Sequence, residues 1–260
     1  MAAVIETCGL VKQYGRFGAL KGVDLSVPEG SVFALVGASG AGKTTAIKIL
    51  LNILAPTSGS AAILGVDSRN LGPAILSRIG YVSESQLLPV RLRVADFFEY
   101  LRGCYSAWDE TLERELREQL RLPSLRRIGA LSHGMRLKLA LACALSFHPQ
   151  LLVLDEPFSG LDALTRDEMI AEFLREPRRM SILISSHELD EVERLATHVA
   201  FLDEGRLLFQ GSLAALREHA RAMPLTAALA GGDRPSLRTI FVAMVRRARE
   251  GADELADRDA

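Results

Sequence analysis

The sequence predicts an α/β fold with a mostly parallel sheet. Three short apolar runs have the length and composition of strands that are buried on both faces of such a sheet. They span residues 32–36, 151–154 and 182–185. Helical patterns precede or follow them, at residues 44–54, 135–147, 163–174 and 187–196. Strands that alternate with helices are typical of an open α/β sheet.

Length and composition suit one large domain, or one domain with an appendage. The chain has 260 residues, of which 48% are hydrophobic and 24% charged. This ordinary globular composition excludes a disordered or fibrous protein. Lysine and arginine number 31 against 32 acidic residues, for a net charge of −1. Because proteins that bind duplex nucleic acid carry a basic excess, no nucleic-acid partner is expected.

No segment of the sequence is predicted to cross a membrane. The longest strictly apolar run, 139–145, has seven residues, whereas a bilayer span needs roughly 20. The first residues, Met-Ala-Ala-Val-Ile-Glu-Thr, lack the basic start and the apolar stretch of a signal peptide. Cys8, Cys104 and Cys143 have no Cys-x-x-Cys spacing, so neither a disulfide framework nor a zinc site is predicted. We therefore expect a cytosolic protein with reduced thiols, for which any membrane role requires a partner chain.

The N-terminal part is predicted to hold two short strands, at 4–11 and 23–27, ahead of the first buried strand. A glycine-bearing loop separates the two strands, and Pro28-Glu29-Gly30 is a turn signal. The buried strand at 32–36 ends in a glycine. The helix predicted after it has an apolar stripe that stops before a proline and consists of Ile47, Leu50, Leu51 and Leu54.

The segment 92–128 differs from the rest of the chain because it is charged and has helical periodicity. Leu112, Leu116 and Leu120 lie on one stripe, with Glu and Arg residues between them. We interpret the segment as part of a helical insertion between sheet strands, over about residues 85–148. Its charged residues are interpreted as a surface that faces solvent.

The composition changes after Gly211 to one rich in Ala, Arg and Gly. We divide the chain there into a main domain, 1–211, and a short C-terminal extension, 212–260. The extension is predicted to hold one amphipathic helix, at 237–247, and a frayed polar end over its last ten residues. A β-hairpin is predicted just before the division, with strands 199–202 and 206–209 and the turn Asp203-Glu204-Gly205.

A glycine-rich loop lies between a predicted strand and a predicted helix and fits the pattern G-x-x-x-x-G-K-[ST]. Its residues are Gly37, Ala38, Ser39, Gly40, Ala41, Gly42, Lys43, Thr44 and Thr45. Glycine backbone angles let successive N–H groups point at phosphate oxygens, and the following helix presents its positive end to the same anion. Lys43 is placed to reach the β- and γ-phosphates, and the Thr44 hydroxyl is placed to bind Mg²⁺. The loop therefore predicts a site for a nucleotide and Mg²⁺.

Two carboxylates follow the apolar run 151–154. Because ligand sites of α/β sheets lie at the carboxyl ends of strands, Asp155 and Glu156 are expected to face the phosphate loop. Asp155 is predicted to hold the metal through water or through Thr44. Glu156 is predicted to orient or deprotonate the attacking water.

These residues resemble those of the ATP-binding subunits of ABC transporters, over about residues 4–211. The resemblance depends most on Leu131-Ser132-His133-Gly134-Met135, which matches the signature sequence of the family and places Ser132 23 residues ahead of Asp155. It implies a phosphate-loop NTPase core with an N-terminal antiparallel β subdomain and a helical insertion subdomain. It also implies that two subunits face each other head to tail. Ser132, His133, Gly134 and Met135 then act on the ATP of the opposite subunit.

The resemblance implies roles for further residues. Ser159, Gly160, Leu161 and Asp162 match the loop of the family that lies at the dimer interface. His187 matches the histidine that contacts the γ-phosphate and the catalytic water. Tyr14 matches the aromatic residue on which adenine stacks.

The chain departs from the family pattern at two places. The family has a glutamine at the end of the strand before the insertion, where this chain has Glu84, with Gln86 as the alternative. Glutamate at that position can still bind Mg²⁺ or water. His133 and Met135 replace the usual glycine and glutamine of the signature, so we expect an altered rate or affinity rather than an inactive site.

The resemblance implies an ATPase that energises transport through a separate permease, on the inner face of the cell membrane. A groove around the Glu84 loop and the 92–128 helices would receive a short helix of the permease. The segment 235–245 is similar to the closing segment common among ATPases of drug, antibiotic and polysaccharide exporters, so export is favoured over import. The second subunit is either another copy or a sister chain. The alternatives are a soluble mechanical ATPase that acts on DNA or ribosomes and a regulatory switch without a permease.

Overall fold

The structure contains two β-sheets, and the larger one contains all three of the predicted buried strands. The computed structural model describes residues 2–84, 87–163, 165–167, 169–170, 180–222 and 235–256. In chain order the strands are β1 Ala3–Tyr14, β2 Phe17–Val23, β3 Ser26–Pro28, β4 Val32–Val36, β5 Ser58–Ile63, β6 Val66–Asp67, β7 Ile79–Ser83, β8 Leu151–Asp155, β9 Ser181–Ser186, β10 His198–Asp203 and β11 Arg206–Ser212. The larger sheet has the order β11–β10–β4–β9–β8–β7, and every neighbouring pair except β10–β11 is parallel. The predicted α/β class and the C-terminal hairpin are therefore confirmed.

The smaller sheet is antiparallel and has the order β2–β1–β5–β6, with β3 also paired to β1. The single strand predicted at 23–27 is wrong, because the chain breaks there between β2 and β3. The hydroxyl of Thr7 fills the break: it donates to the Val23 carbonyl (2.7 Å) and accepts from the Leu25 backbone N–H (2.8 Å). A side chain thus replaces the ladder hydrogen bonds, which apolar periodicity does not reveal.

Eight helices have defined bounds in the described part of the chain: α1 Lys43–Leu50, α2 Pro73–Leu76, α3 Val94–Arg102, α4 Glu110–Gln119, α5 His133–Leu145, α6 Leu189–Leu195, α7 Leu213–Ala222 and α8 Leu237–Ala256. Residues 163, 165–167 and 169–170 are also helical, and the rest of the helix predicted at 163–174 lies outside the described residues. None of the helices in the described ranges is long and apolar enough to cross a bilayer.

Two predicted helix ends differ from the structure by four residues or more, whereas the helices predicted at 135–147 and 187–196 differ by no more than two at either end. Helix α1 ends at Leu50 rather than at Leu54, because Asn52 adopts a left-handed backbone with φ of 56° and stops the helix. The helix predicted at 237–247 continues to Ala256, so the frayed end predicted from residue 251 is wrong up to that point. Residues 257–260 lie outside the described residues.

The C-terminal helices pack into the same core as the larger sheet. Their buried residues join the cluster formed by β4, β8, β9 and β10, and they are Leu216, Ala220, Leu237, Ile240 and Met244. The extension holds two helices rather than the one predicted, because α7 precedes α8. On the opposite face, the larger sheet packs against α1 and the smaller sheet.

Helices α3, α4 and α5 enclose a third core that contains a buried carboxylate. The side chain of Glu113 is fully buried and accepts hydrogen bonds from Arg102 (2.7 and 2.9 Å), Arg117 (3.0 Å) and the Trp108 indole (3.0 Å). Burial raises the pKa of Glu113, but these donors outweigh burial and hold the pKa below its usual 4.5. The cluster joins the C-terminal end of α3 to the first turn of α4.

We expect Glu113→Gln to lower the free energy of unfolding at neutral pH by about 2 kcal/mol, because two guanidinium groups lose their buried counter-charge. Since the pKa of Glu113 is lowered on folding, this contribution is complete above the unfolded pKa. It disappears as the pH falls through the folded value. Urea unfolding at pH 7 and in mild acid measures both effects. The control, Glu118→Gln, changes an exposed residue of α4, and an equal loss of stability in the two variants would contradict the prediction.

Candidate functional site

The loop between β4 and α1 is folded around the side chain of Lys43. This side chain is buried, and its ammonium donates to the carbonyls of Gly37 (2.7 Å) and Ala38 (3.1 Å). Gly40 and Gly42 have φ of 82° and 109°, which non-glycine residues rarely adopt. Gly42 is also the N-cap of α1, so the positive end of this helix faces the loop.

Close backbone contacts hold the loop from the side of β10 and β11. A Cβ atom on Gly37 would lie 2.2 Å from the Leu202 carbonyl oxygen, so glycine is required there by proximity rather than by its φ angle. The Gly205 N–H donates to the Ala41 carbonyl (3.0 Å). The β10–β11 turn therefore supports the phosphate loop, a contact that no local sequence pattern predicts.

Asp155 and Glu156 lie at the carboxyl end of β8, beside this loop. Asp155 is buried and accepts from the hydroxyls of Thr44 (3.0 Å) and Ser185 (2.6 Å). The Ser185 hydroxyl also accepts from the Glu156 N–H (2.9 Å). Sequence analysis missed Ser185, although its position at the end of the neighbouring buried strand is the same signal that identified Asp155.

Glu156 lies between two groups that can be cationic. Its carboxylate forms an ion pair with Lys43 (Nζ–Oε1, 3.0 Å), and its other oxygen lies 2.8 Å from His187 Nδ1. The backbone of Glu156 is left-handed, with φ of 51°, a conformation that is unfavourable outside glycine and occurs often in active sites. The arrangement can hold a carboxylate in a fixed orientation toward a phosphate that occupies the loop.

Hydrogen bonds and an ion pair hold the loop that carries His187. The neighbouring Ser186 hydroxyl accepts from the Glu188 N–H (2.9 Å) and donates to Glu191 (3.1 Å). Glu191 also lies 3.2 Å from the guanidinium of Arg166. Burial raises the pKa of Glu191, opposed by the hydrogen bond from Ser186 and the charge of Arg166. Contacts through Glu191 thus connect the loop that carries His187 to α6 and to Arg166, which follows the segment 159–162.

Glu84 follows β7 and joins the same site. Its N–H donates to the Asp155 carbonyl (2.9 Å), and its carboxylate accepts from the Ser159 hydroxyl (2.7 Å). Gln86, the alternative at this position, lies outside the described residues. The oxygens of Thr44, Asp155 and Glu84 are donors of the type that Mg²⁺ prefers. Thr44 and Asp155 are already in contact, so this part of the donor set fits the ion.

The signature residues lie at the start of α5. Ser132 is the N-cap of α5 and accepts from the Met135 N–H (3.2 Å), as its residue type predicts. His133 Nε2 lies 3.0 Å from the Ser159 carbonyl. A Cβ atom on Gly134 would lie 2.8 Å from the Thr165 side chain. The signature and the segment 159–162 therefore contact each other within one chain.

A cleft of about 570 Å³ brings most of the predicted residues together. Its walls are Tyr14, Phe17, Ala19, Ser39, Gly40, Gly42, Lys43, Thr44, Thr45, Glu84, Glu156, Ser159 and His187. Asp155 lies behind them through Thr44. None of the described residues that line the cleft belongs to the signature.

Two aromatic side chains line the cleft. Tyr14 and Phe17 are paired across the β1–β2 hairpin and are 49% and 62% exposed. The ammonium of Lys12 lies 5.2 Å from the centre of the Tyr14 ring. Sequence analysis missed Phe17, because the predicted elements placed a loop where β2 begins. The two rings provide apolar area that a nucleobase can cover.

Comparison with known proteins shows what the chain as a whole is similar to. A family model described as ABC transporter matches residues 20–159. The bacitracin transport ATP-binding protein BcrA of Bacillus licheniformis is 35% identical over 215 residues, which cover 80% of this chain and 69% of that protein. The lantibiotic transport ATP-binding protein SrtF of Streptococcus pyogenes is 34% identical over 220 residues, which cover 80% and 90%. A solved ATP-binding subunit of an ABC transporter superposes with a TM-score of 0.77 at 25% identity, covering 93% of this chain and 99% of that one.

Proposed function

Because the chain belongs to the ABC transporter family of ATPases, we propose that it binds ATP with Mg²⁺ and uses hydrolysis to drive export through a separate membrane permease. The observation that carries the proposal is the convergence of Lys43, Glu156 and His187 on one cleft beside the phosphate loop. The relatives named for bacitracin and lantibiotic transport support a role in transport, and the similarity of the segment 235–245 to exporter ATPases favours export. The chain is then peripheral to the cytoplasmic face of the membrane.

The residues of the cleft have distinct roles in hydrolysis. The loop N–H groups and Lys43 hold the triphosphate, and Lys43 exchanges its carbonyl acceptors for phosphate oxygens. Thr44, Asp155 and Glu84 would hold Mg²⁺, which neutralises phosphate charge when bound. A water oxygen attacks the γ-phosphorus, the bond to the β–γ bridging oxygen breaks, and Glu156 accepts the proton of the water. His187 keeps Glu156 oriented and contacts the γ-phosphate.

Tyr14 and Phe17 bind the base. We expect Phe17→Ala or Tyr14→Ala to weaken ATP binding about tenfold, since each aromatic–base contact contributes roughly 1–3 kcal/mol. The affinity for inorganic tripolyphosphate, which has no base, should stay at the wild-type value. Calorimetric titration with both ligands measures the difference. Tyr100→Ala removes an exposed ring from α3 as a control, and an equal loss for ATP and tripolyphosphate would disprove base contact.

A second ATPase subunit completes each nucleotide site. Ser132 is the exposed N-cap of α5. The first backbone N–H groups of a helix have no partner within it, so this end favours an anion such as the γ-phosphate of the opposite subunit. His133, Gly134 and Met135 accompany it, and Ser159, Gly160, Leu161 and Asp162 lie at the interface. The contact between His133 and the Ser159 carbonyl supports one joint surface for the two segments. The partner is another copy of this chain or a sister subunit.

The permease contacts an apolar groove beside the helical insertion. The groove has a volume of about 470 Å³ and lies between α1, α2, β7 and the α3–α5 cluster. Among its lining residues are Ile53, Leu76, Leu88, Phe97, Leu101 and Tyr105. Ile53 and Leu76 are exposed, so an amphipathic helix that enters the groove would cover apolar area.

Recovery of partners from membranes tests the proposal. Tagged Glu156→Gln protein would be purified with ATP from detergent-solubilised membranes of its native host, and its partners identified by mass spectrometry. Stoichiometric recovery of a multi-span membrane protein is the expected result. Substituting Leu101 and Phe97 by serine should release that protein without removing ATP binding. Recovery of the chain alone, or with ribosomes or nucleic acid, would overturn the transport function.

A further inference from the structure

Two segments of the helical insertion form a short antiparallel ribbon at its surface. Arg93 and Arg127 form a β-bridge. Three backbone hydrogen bonds extend it: Val94 N–H to the Arg126 carbonyl (3.1 Å), Ile128 N–H to the Leu92 carbonyl (2.9 Å) and Gly129 N–H to the Val90 carbonyl (2.9 Å). We call residues 90–94 and 126–129 the arginine ribbon. Backbone hydrogen bonds hold the two segments in register, so Arg93 and Arg127 keep their positions opposite each other.

The ribbon concentrates positive charge in a protein that is nearly neutral. Arg91, Arg93, Arg126 and Arg127 are all exposed, and none forms an ion pair within the described part of the chain. The sequence has no Asp or Glu at 87–95 or 120–154, and Asp96, the next residue, accepts from the Arg93 backbone N–H (3.4 Å). Arg93 and Arg127 lie directly opposite each other, and like charges at such positions destabilise an antiparallel pair. An anion that bridges the two guanidinium groups would relieve this repulsion.

Large aliphatic side chains lie exposed in the ribbon or close to it in sequence. Leu87 is 98% exposed, Leu125 75% and Val90 55%. Guanidinium groups bind phosphate through paired hydrogen bonds, while exposed aliphatic side chains can enter the apolar boundary of a bilayer. Aromatic side chains that would stack on bases are missing from residues 87–94 and 120–129. This combination favours anionic lipid over nucleic acid.

We propose that the arginine ribbon docks on anionic phospholipid headgroups at the membrane surface. Leu88, two residues before the ribbon, lines the groove assigned to the permease, so the ribbon lies beside that groove. The placement beside the permease rests on the proposed function, whereas the lipid affinity itself depends only on the ribbon. Each arginine near an anionic surface contributes independently of any partner chain.

Flotation with vesicles tests the proposal on the full chain. The wild-type protein should bind vesicles of equal parts phosphatidylglycerol and phosphatidylcholine, bind much less to pure phosphatidylcholine, and lose binding as salt rises. The variant with Arg91, Arg93, Arg126 and Arg127 all changed to Gln should bind roughly 30-fold more weakly or worse. A second variant, Leu87→Ser with Leu125→Ser, should bind more weakly while it keeps all four charges.

A charge-matched control separates the ribbon from general electrostatics. Arg206, Arg221, Arg246 and Arg247 are exposed and lie outside the ribbon, and their joint change to Gln should leave vesicle binding near wild type. Equal losses in the two quadruple variants, or no preference of the wild type for phosphatidylglycerol, would overturn the proposal. So would wild-type lipid binding in the ribbon variant. ATP turnover measured on the same samples reports the proposed function separately, because the ribbon does not line the nucleotide cleft.

Discussion

Glu156→Gln is expected to bind ATP and to lose turnover by on the order of 10²-fold or more. The amide keeps the shape of the side chain but cannot accept the proton of the attacking water. It also loses the charge that pairs with Lys43 at 3.0 Å, and it changes the group that lies 2.8 Å from His187 Nδ1. Since Lys43 is then free of its carboxylate partner, phosphate binding should be retained or become tighter.

Phosphate release and ATP titration on the same preparation measure the two effects. Glu29→Gln changes an exposed glutamate before β4 and should have wild-type turnover. Turnover close to wild type in Glu156→Gln would remove Glu156 from the chemical step. In that case Asp155, buried behind Thr44, would become the carboxylate to test next.

Lys43→Ala is expected to weaken ATP binding by about 100-fold, because charge-assisted hydrogen bonds contribute roughly 1.5–3 kcal/mol and Lys43 supplies several to phosphate. The substitution also leaves Glu156 without its cationic partner near the triphosphate, which adds repulsion. Tripolyphosphate binding should fall by a similar factor, in contrast to the base-specific loss in Phe17→Ala.

Calorimetric titration measures this loss, and Lys43→Met separates charge from packing because it keeps an unbranched apolar stem. Lys48→Ala, on the exposed face of α1, is the matched control. Thermal melts of all three variants identify any loss of folding. If folded Lys43→Met binds ATP as tightly as the wild type, Lys43 has no part in the site.

Much of the fold and of the site was predictable because it depends on residue patterns within short stretches of the sequence. The phosphate loop is visible in the sequence because its function needs glycines and a lysine at fixed spacing between a strand and a helix. The structure has β4 at Val32–Val36 and α1 from Lys43, as expected. Asp155 was predictable because a buried strand tolerates a carboxylate only at its end. Ser132 was predictable as an N-cap for the same kind of local reason.

Other features depend on contacts between distant parts of the chain. Thr7 breaks the strand predicted at 23–27 through hydrogen bonds that span 16 and 18 positions. Ser185 reaches Asp155 from a neighbouring strand, 30 positions further along the chain. The partners of the Thr7 and Ser185 contacts are too far apart in sequence for one local pattern to contain both.

The sequence by itself determined the fold class, the phosphate loop, the carboxylates that follow β8 and the family of the chain. Each of these depends on residue types at short, fixed spacing, which backbone geometry translates directly into structure. Only the tertiary structure decided that the β10–β11 turn supports the loop and that Arg93 opposes Arg127. These depend on strand order and register, which are set by the packing of the whole core rather than by local pattern.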